Sequence, residues 1–346
     1  MFAWFKAWRR QFGAAVVSDG AGVTARKPHH GADGFRNNYP HSQPGGRDFF
    51  RWRWDAWRNQ HPRRPEHGYK LPRAQPRLEF LQQNRERTTV TWVGHSTILL
   101  QLGGLNILTD PVLGARASPL LFAGPKRFSA PGLTLEQLPH IDLVLVSHNH
   151  YDHLDEFSVR RLQRQPGGAP RFVVPLGLRN WFVRRGMHDT VELDWWDAHA
   201  FNGLAVHFVP AQHWSSRTLA DRNQSLWGGF VVDGVDFRFY FAGDSGYSKD
   251  FHDIGQRFPG IDLAALPIGA YQPRWFMRSQ HVDPAEAVQA LLDLGAEQAF
   301  AIHWGCFELT DEPLDQPPRD LALALNEAEV EAERFFVMRI GETRCY

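Results

Sequence analysis

The feature that most constrains this chain is the nine-residue segment 147–155, which holds three histidines and two aspartates. The six residues before it, 141–146, are mostly apolar and partly β-branched, which predicts a buried strand. Asp155 stands where a helix N-cap is expected, and apolar residues follow it at helical spacing. Neutral imidazoles and carboxylates are the ligands that borderline divalent metals prefer. A strand that ends in a histidine-rich turn before a helix therefore predicts a metal site.

Other strand-like runs end in residues of the same chemical kind, at Asp110, His213, Asp244 and His303. One histidine after a strand is more often a packed or surface residue than a ligand. Side chains at the ends of strands on one side of a sheet, however, are where α/β proteins build their sites. The joint pattern therefore predicts that these residues and the segment 147–155 meet at one edge of the fold.

The order of the predicted elements indicates the fold class. Short apolar runs separated by glycine-containing turns predict strands at 88–93, 97–102 and 105–109. Later strands alternate with helices, and the clearest helix start is 283–286, with an aspartate N-cap, a proline at N1 and a glutamate at N3. Strands first and then alternating strands and helices, in two similar blocks, predict two sheets packed face to face with helices outside.

Composition narrows the class of protein. A chain of 346 residues can bury a large core as one or two domains, and its apolar content of 43% is that of a globular protein. No apolar run approaches the roughly 20 residues that a membrane-spanning helix needs. Two cysteines, Cys306 and Cys345, form no disulfide framework, which suits a reducing compartment. These features predict a cytoplasmic protein, with peripheral membrane contact left open.

The N-terminal part differs from the rest in charge and aromatic content. Residues 1–79 contain 15 Lys or Arg and 6 Asp or Glu, so this part carries a charge of +9 and residues 80–346 carry −9. This asymmetry predicts an anionic partner for the N-terminal part. Residues 1–17 have aromatic and basic residues at helical spacing, which suits a membrane-interface helix or a mobile or tightly docked terminus. The Arg- and Trp-rich stretch 49–58 could contact bases or lipid headgroups, or pack on the main domain.

The motif His148-x-His150-x-Asp152-His153, followed by His213, Asp244 and His303, resembles the signature of the metallo-β-lactamase superfamily. Within it, the chain looks most like the N-acylphosphatidylethanolamine-hydrolysing phospholipase D family and its bacterial relatives. The resemblance is dense over residues 88–310 and weak over residues 1–50. The segments that carry it are 92–97, 109–111, 116–119, 124–128, 147–155, 210–214, 242–247, 268–271, 273–277, 280–284 and 301–305.

This resemblance implies an αββα four-layer sandwich and two divalent metal ions at one edge of its sheets. Residues 61–346 would form the hydrolase domain, and 1–60 a basic, aromatic N-terminal extension. One metal would be held by His148, His150 and His213, the other by Asp152, His153 and His303, and Asp244 would bridge both. The His-rich set favours zinc, with iron or manganese as alternatives.

The resemblance also implies catalytic residues, which are Asp152, Asp244, Gln280 and His281. His281 would stabilise the phosphoryl group or protonate the leaving group, although it also stands just before the cap of a predicted helix. His95 and Asp110 are expected to orient ligand imidazoles, with Asp110 alternatively capping a turn.

The implied activity is phospholipase D-type hydrolysis of N-acylphosphatidylethanolamine or a similar phosphodiester by an activated hydroxide. The superfamily also contains lactonases and carboxylic-ester hydrolases, and such a substrate is the alternative. Nucleic acid as a partner is not favoured, because nuclease members usually carry additional domains. The relatives also imply a homodimer.

Overall fold

The computed structural model describes residues 27–120 and 122–346, so the helix predicted within residues 1–17 lies outside the described part. The strands in chain order are β1 (Thr89–Gly94), β2 (Thr97–Leu102), β3 (Leu105–Thr109), β4 (Leu143–Leu145), β5 (Arg171–Pro175), β6 (Thr190–Leu193), β7 (Ala198–Phe201), β8 (Leu204–Val209), β9 (Gly229–Asp233), β10 (Arg238–Phe241), β11 (Leu263–Pro267), β12 (Gln298–Ile302), β13 (Phe335–Phe336) and β14 (Thr343–Cys345). The helices in this part are α1 (Gly46–Arg58), α2 (Leu78–Gln83), α3 (Glu156–Gln163), α4 (Arg179–Val183), α5 (Asp250–Arg257), α6 (Arg274–Met277), α7 (Pro284–Leu294) and α8 (Pro317–Glu327).

The strands form two seven-stranded sheets of similar design. The first has the order β14-β1-β2-β3-β4-β5-β6, and the second has the order β13-β12-β11-β10-β9-β8-β7. In each block the chain first makes antiparallel neighbours, β1 to β3 and β7 to β10, and then adds parallel strands. The two-block prediction is confirmed.

Alternating side chains of the first sheet enter two different cores. Leu143 and Leu145 of β4 point into the core shared with the second sheet, whereas Val144 joins the layer beneath the outer helices. That outer layer includes Leu162 of α3 and Phe182 of α4, and all five side chains are buried. Burying a side chain of this size contributes about 1.5–3 kcal/mol, which explains why strands with both faces covered are continuously apolar. The predicted αββα sandwich is confirmed.

The observed helix ends agree with the capping residues in the sequence. Asp155 caps α3 by accepting hydrogen bonds from the backbone N–H groups of Phe157 and Ser158 at 3.2 and 3.3 Å. Asp283 and Glu286 form the predicted capping box of α7, which ends at Gly295 with a φ of 60°. Among the described residues, none of the helices has the length and apolar character needed to cross a membrane.

The stretch 49–58 is helical and divided between two environments. Trp52 of α1 is buried, stacks on Phe276 of α6 at 5.0 Å between ring centroids, and donates a hydrogen bond to Asp311. Trp54 and Trp57 are 61% and 72% exposed on the opposite face. One face of α1 therefore packs on the main body, and the other presents aromatic rings to solvent.

Candidate metal centre

The candidate site lies at one edge of the sandwich, where strands from both sheets end. The histidine-rich loop follows β4, His213 lies after β8, Asp244 lies after β10, and His303 follows β12. Backbone hydrogen bonds tie these ends together: the N–H of Gly228 donates to Ser147 O at 3.1 Å, and the N–H of His303 donates to His95 O at 3.1 Å. The strand-end residues meet as the sequence pattern predicts.

The first half of the site consists of three imidazoles. Nε2 of His148 lies 2.9 Å from Nδ1 of His150, and Nε2 of His213 lies 3.3 Å from the same Nδ1. Burial lowers the pKa of His150 to about 3 and that of His213 to about 4. These imidazoles are therefore neutral at pH 7, which is the form that binds a metal.

The second half combines imidazoles with carboxylates. Nε2 of His153 and Nε2 of His303 lie 3.0 and 3.2 Å from Oδ2 of Asp244. The same nitrogens lie 3.5 and 3.4 Å from Oδ2 of Asp152. Burial alone would lower the pKa of His303, but the charge of Asp244 and the nearby carboxylate of Asp152 raise it to about 9. A metal entering this half would displace protons from the histidines.

Asp244 lies between the two halves. Its Oδ2 faces His153 and His303 and is also 3.9 Å from Nε2 of His213. Its Oδ1 is buried and has no hydrogen-bond partner within the described ranges, and the same holds for Nε2 of His153 and of His303. An unpaired buried polar group costs about 1–3 kcal/mol, which a bound cation would remove. The nitrogen and oxygen donors present therefore fit divalent metal ions.

Asp110 is hydrogen-bonded to residues of both halves of the site. Its fully buried carboxylate accepts hydrogen bonds from Nδ1 of His153 at 2.6 Å, from the backbone N–H of Ser147 at 2.7 Å, and from Ser147 Oγ at 2.6 Å. Ser147 Oγ lies 2.9 Å from Nδ1 of His148. Asp110 therefore orients one imidazole directly and a second through Ser147, as expected for a carboxylate behind a metal ligand.

His95 contacts the second half of the site. Its Nε2 lies 3.2 Å from Oδ2 of Asp152, and its ring lies 4.1 Å from the ring of His303. Burial lowers the pKa of His95 to about 3, so its imidazole is neutral at pH 7. His95 can thus donate a hydrogen bond to Asp152 without adding a positive charge to the site.

Gln280 and His281 lie where α6 ends, against the first half of the site. The backbone O of Gln280 lies 2.9 Å from Nδ1 of His213, and its Oε1 accepts a hydrogen bond from Nε1 of Trp214 at 2.6 Å. Nδ1 of His281 lies 3.8 Å from Oδ2 of Asp244 and has no partner in the described ranges. Both residues are therefore close to the candidate metal ligands.

The sequence did not indicate Arg217, which ties the ligand-bearing loop to the loop after His213. Nη1 of Arg217 donates to the backbone O of Asn149 at 2.8 Å and of Leu154 at 2.7 Å. Tyr151 returns a hydrogen bond to the backbone O of Arg217 at 2.8 Å, and the guanidinium lies 4.0 Å from its ring centroid. A single arginine in a polar loop has no sequence signal for such a role.

A cavity of about 770 Å³ opens over the site. Its floor includes His150, Asp152 and Asp244, and its walls include the following residues of α1, α6 and the loop after β8: Phe49, Phe50, Trp52, Phe276, Met277, Trp214 and Arg222. Mostly apolar walls with convergent polar groups at one end are typical of a pocket for an amphiphilic small molecule.

Comparisons with known proteins agree with this geometry. A family model described as a beta-lactamase superfamily domain matches residues 105–304. The chain is 40% identical over 264 residues to N-acyl-phosphatidylethanolamine-hydrolyzing phospholipase D 1 of Caenorhabditis elegans, covering 73% of this chain and 74% of that protein. It is 36% identical to the mitochondrial N-acyl-phosphatidylethanolamine-hydrolyzing phospholipase D of Saccharomyces cerevisiae, covering 74% of this chain and 55% of that protein.

The fold also matches a solved structure, a possible metal-dependent hydrolase from Veillonella parvula. The TM-score is 0.62 at 18% identity, and the match covers 75% of this chain and 100% of the other. The matched family model spans β3 to β12 and thus every strand that is followed by a candidate metal ligand. The chain therefore belongs to the metallo-β-lactamase superfamily, as a metal-dependent hydrolase.

Proposed function

We propose that this protein is a phospholipase D-type phosphodiesterase that hydrolyses N-acylphosphatidylethanolamine or a similar phosphodiester with two metal ions. The observation that carries the proposal is the cavity, which joins a His- and Asp-lined floor to apolar walls from α1 and α6. Such a cavity can hold a phosphate at the polar end and hydrocarbon along its walls. The names of the worm and yeast relatives support this substrate class.

The proposed ligand assignment follows the two halves of the site. His148, His150 and His213 would hold one ion, Asp152, His153 and His303 would hold the other, and Asp244 lies where it would contact both. Zinc is proposed first because of the imidazole content, with iron and manganese as alternatives. When bound, such a pair supplies a nucleophile at neutral pH and neutralises charge on a phosphoryl oxygen.

The protein's own groups would position the substrate. Asp152 and Asp244 fix the geometry of the polar floor, and His281 reaches the same cavity with an Nδ1 that has no hydrogen-bond partner among the residues the structure describes. Burial holds the pKa of His281 well below its usual value, so its neutral imidazole would donate a hydrogen bond to the phosphoryl group rather than a proton to the departing alkoxide. Gln280 holds His213 through its backbone O and Trp214 through its side chain, so it would fix the wall beside the reacting bond.

The outer face of α1 suits a lipid surface. Phe50, Trp54 and Trp57 are mostly exposed there, with Arg51 and Arg53 between them. Aromatic rings sit well at lipid headgroups, and basic residues are attracted to anionic lipids. We therefore propose peripheral membrane contact of a cytoplasmic protein through α1, which also lines the cavity. The homodimer stays a prediction, which the molecular mass in solution would test.

The test is a substrate panel with controlled metal content. Metal-stripped protein is reloaded with zinc, iron or manganese and incubated with N-acylphosphatidylethanolamine, a lactone and a carboxylic ester. We expect metal-dependent release of N-acylethanolamine and phosphatidic acid as the fastest reaction. Faster turnover of the lactone or the ester, with no release from the phospholipid, would overturn the proposal in favour of that activity.

A further inference from the structure

A side chain from the N-terminal segment reaches the backbone of a candidate metal ligand. Oδ1 of Asn37 accepts a hydrogen bond from the backbone N–H of His213 at 3.0 Å, and Nδ2 of Asn37 donates to the backbone O of His213 at 2.9 Å. The Asn37 amide therefore pairs with both the backbone N–H and the backbone C=O of His213, as a neighbouring β-strand would. His213 lies 176 positions away in the chain.

The rest of the Asn37 amide is also fully used. Oδ1 accepts a second hydrogen bond from Nε1 of Trp227 at 2.9 Å, and Nδ2 lies 3.2 Å from Nε2 of His41. Trp227 is completely buried, so this bond ties Asn37 to the core between the sheets. Two donors and two acceptor positions are all that a primary amide offers. The side chain is thus held in one orientation.

We propose that Asn37 is a positioning residue of the metal centre, which holds His213 in place by its main chain. This inference rests on the proposed assignment of His213 as a metal ligand. His213 stands apart from the other imidazoles of its half, which lie on a single loop after β4. The direction of its side chain depends on its own backbone, and a shift of about 1 Å in a ligand is enough to spoil a site.

The segment that carries Asn37 is itself anchored on both sides. Before Asn37, the N–H of Phe35 donates to Asn223 O at 2.8 Å, and the His29 and His30 side chains contact the Asp194 carboxylate at 2.6 and 2.9 Å. Beyond it, the hydroxyl of Tyr39 donates a hydrogen bond to the Asp253 carboxylate of α5, and the chain continues into 43–46, which line the cavity. Asn37 therefore has the rigid support that a positioning residue needs.

The two hydrogen bonds to the His213 backbone require an asparagine side chain at position 37. Leucine has nearly the same shape but offers no hydrogen bond, and aspartate keeps the acceptors but loses the donor to His213 O. Asn38 is a matched control, because its Nδ2 donates a hydrogen bond to Oδ1 of Asp250 at 2.8 Å. Asp250 belongs to α5 and is not a candidate metal ligand. Loss of Asn38 removes an anchor of the same segment without touching His213.

The experiment compares N37L, N37D and N38L as full-length proteins. Zinc stoichiometry and affinity are measured by chelator competition, and the cobalt-loaded proteins are compared by their visible absorption spectra. We expect N37L and N37D to lose affinity for one of two metal equivalents by about 10–100-fold, the usual effect of losing support behind a ligand. N38L should bind both equivalents as the parent does.

The outcomes separate this inference from the proposed function. Unchanged zinc affinity and cobalt spectra in N37L and N37D would overturn the inference, as would an equal loss in N38L. Metal affinity does not depend on the substrate, so a parent protein without phospholipase activity would refute the proposed function and leave this test intact. If N37L does not fold, N37D still decides the question, because it keeps both acceptor bonds of the amide.

Discussion

Replacing Asp110 by asparagine tests whether the carboxylate beneath the site sets the tautomer of His153. Oδ2 of Asp110 accepts from Nδ1 of His153 and from Ser147 Oγ, while Oδ1 accepts from the backbone N–H of Ser147. All of these atoms belong to buried residues. Asparagine has one acceptor and one donor group, so it cannot accept at both positions.

Either orientation of the new amide creates a conflict. If its NH₂ replaces Oδ1, it faces the N–H of Ser147. If its NH₂ replaces Oδ2, it faces Nδ1 of His153, and the proton of that ring must move to Nε2. Nε2 is the nitrogen that would bind the metal, and it lies 3.0 Å from Asp244 Oδ2. In the first orientation a buried donor lacks an acceptor, which costs about 1–3 kcal/mol, and in the second a proton occupies the nitrogen that would bind the metal. Since 1.4 kcal/mol corresponds to a factor of ten, we expect D110N to weaken zinc binding by about 10–100-fold.

The assay is chelator competition with zinc at pH 7, with D142N as the control. Asp142 also accepts a backbone N–H, that of Asn106 at 2.8 Å, but it lies at the start of β4, at the opposite end from the site. D142N should therefore bind zinc as tightly as the parent. Parental zinc affinity in D110N, or an equal loss in D142N, would refute the tautomer argument.

Three further substitutions probe other parts of the structure. R217M removes both hydrogen bonds to the ligand-bearing loop and should lower kcat about tenfold, with R217K intermediate, as measured by kinetics at full metal loading. Parental kcat in R217M would show that the loop holds its shape without this contact. D283A removes the cap of α7 and should lower the free energy of unfolding by about 1 kcal/mol in urea titrations, whereas no change would mean that Pro284 alone starts the helix. Serine at Trp54 and Trp57 together should weaken sedimentation with anionic vesicles while hydrolysis of a short-chain, water-soluble substrate persists; unchanged sedimentation would place the lipid contact elsewhere.

The parts of the site that were predictable have local signals in the sequence. Apolar runs that end in His or Asp mark His213, Asp244 and His303, because a strand places its last side chains at the edge of a sheet. The cap of α7 has a similarly local signature in Asp283 and Glu286. These features depend on residues a few positions apart, and they need no knowledge of the tertiary contacts.

The remaining parts of the site depend on contacts between distant residues. Asn37 and Arg217 act on backbone groups 176 and 63–68 positions away, and neither belongs to a periodic pattern. The aromatic spacing of 49–58 was compatible with packing, with lipid contact and with stacking on bases, and α1 buries Trp52 while it exposes Trp54 and Trp57 to solvent. The division into 1–60 and 61–346 stays a prediction. The contacts of Asn37 and Trp52 with the main body mean that such an extension would take part in the site.

The charges around the cavity bear on the choice between a phosphodiester and a lactone. The imidazoles of the first half are neutral at pH 7, so they do not offset the charge of a bound metal. Two divalent ions would carry four positive charges. The carboxylates of Asp152 and Asp244 supply two negative charges, and the Asp110 carboxylate, which contacts His153, supplies a third. Arg222 adds a positive charge to the cavity wall, where its guanidinium lies 4.4 Å from the Trp214 ring centroid. With two ions and the hydroxide of the proposed reaction bound, the charges of the ions, the hydroxide and the three carboxylates cancel. The net positive charge that remains is that of Arg222, and it favours an anionic substrate because opposite charges attract strongly in a partly buried site. A phosphodiester has the required negative charge and a lactone has none, so the electrostatics of the cavity favour the phosphodiesterase over the alternative.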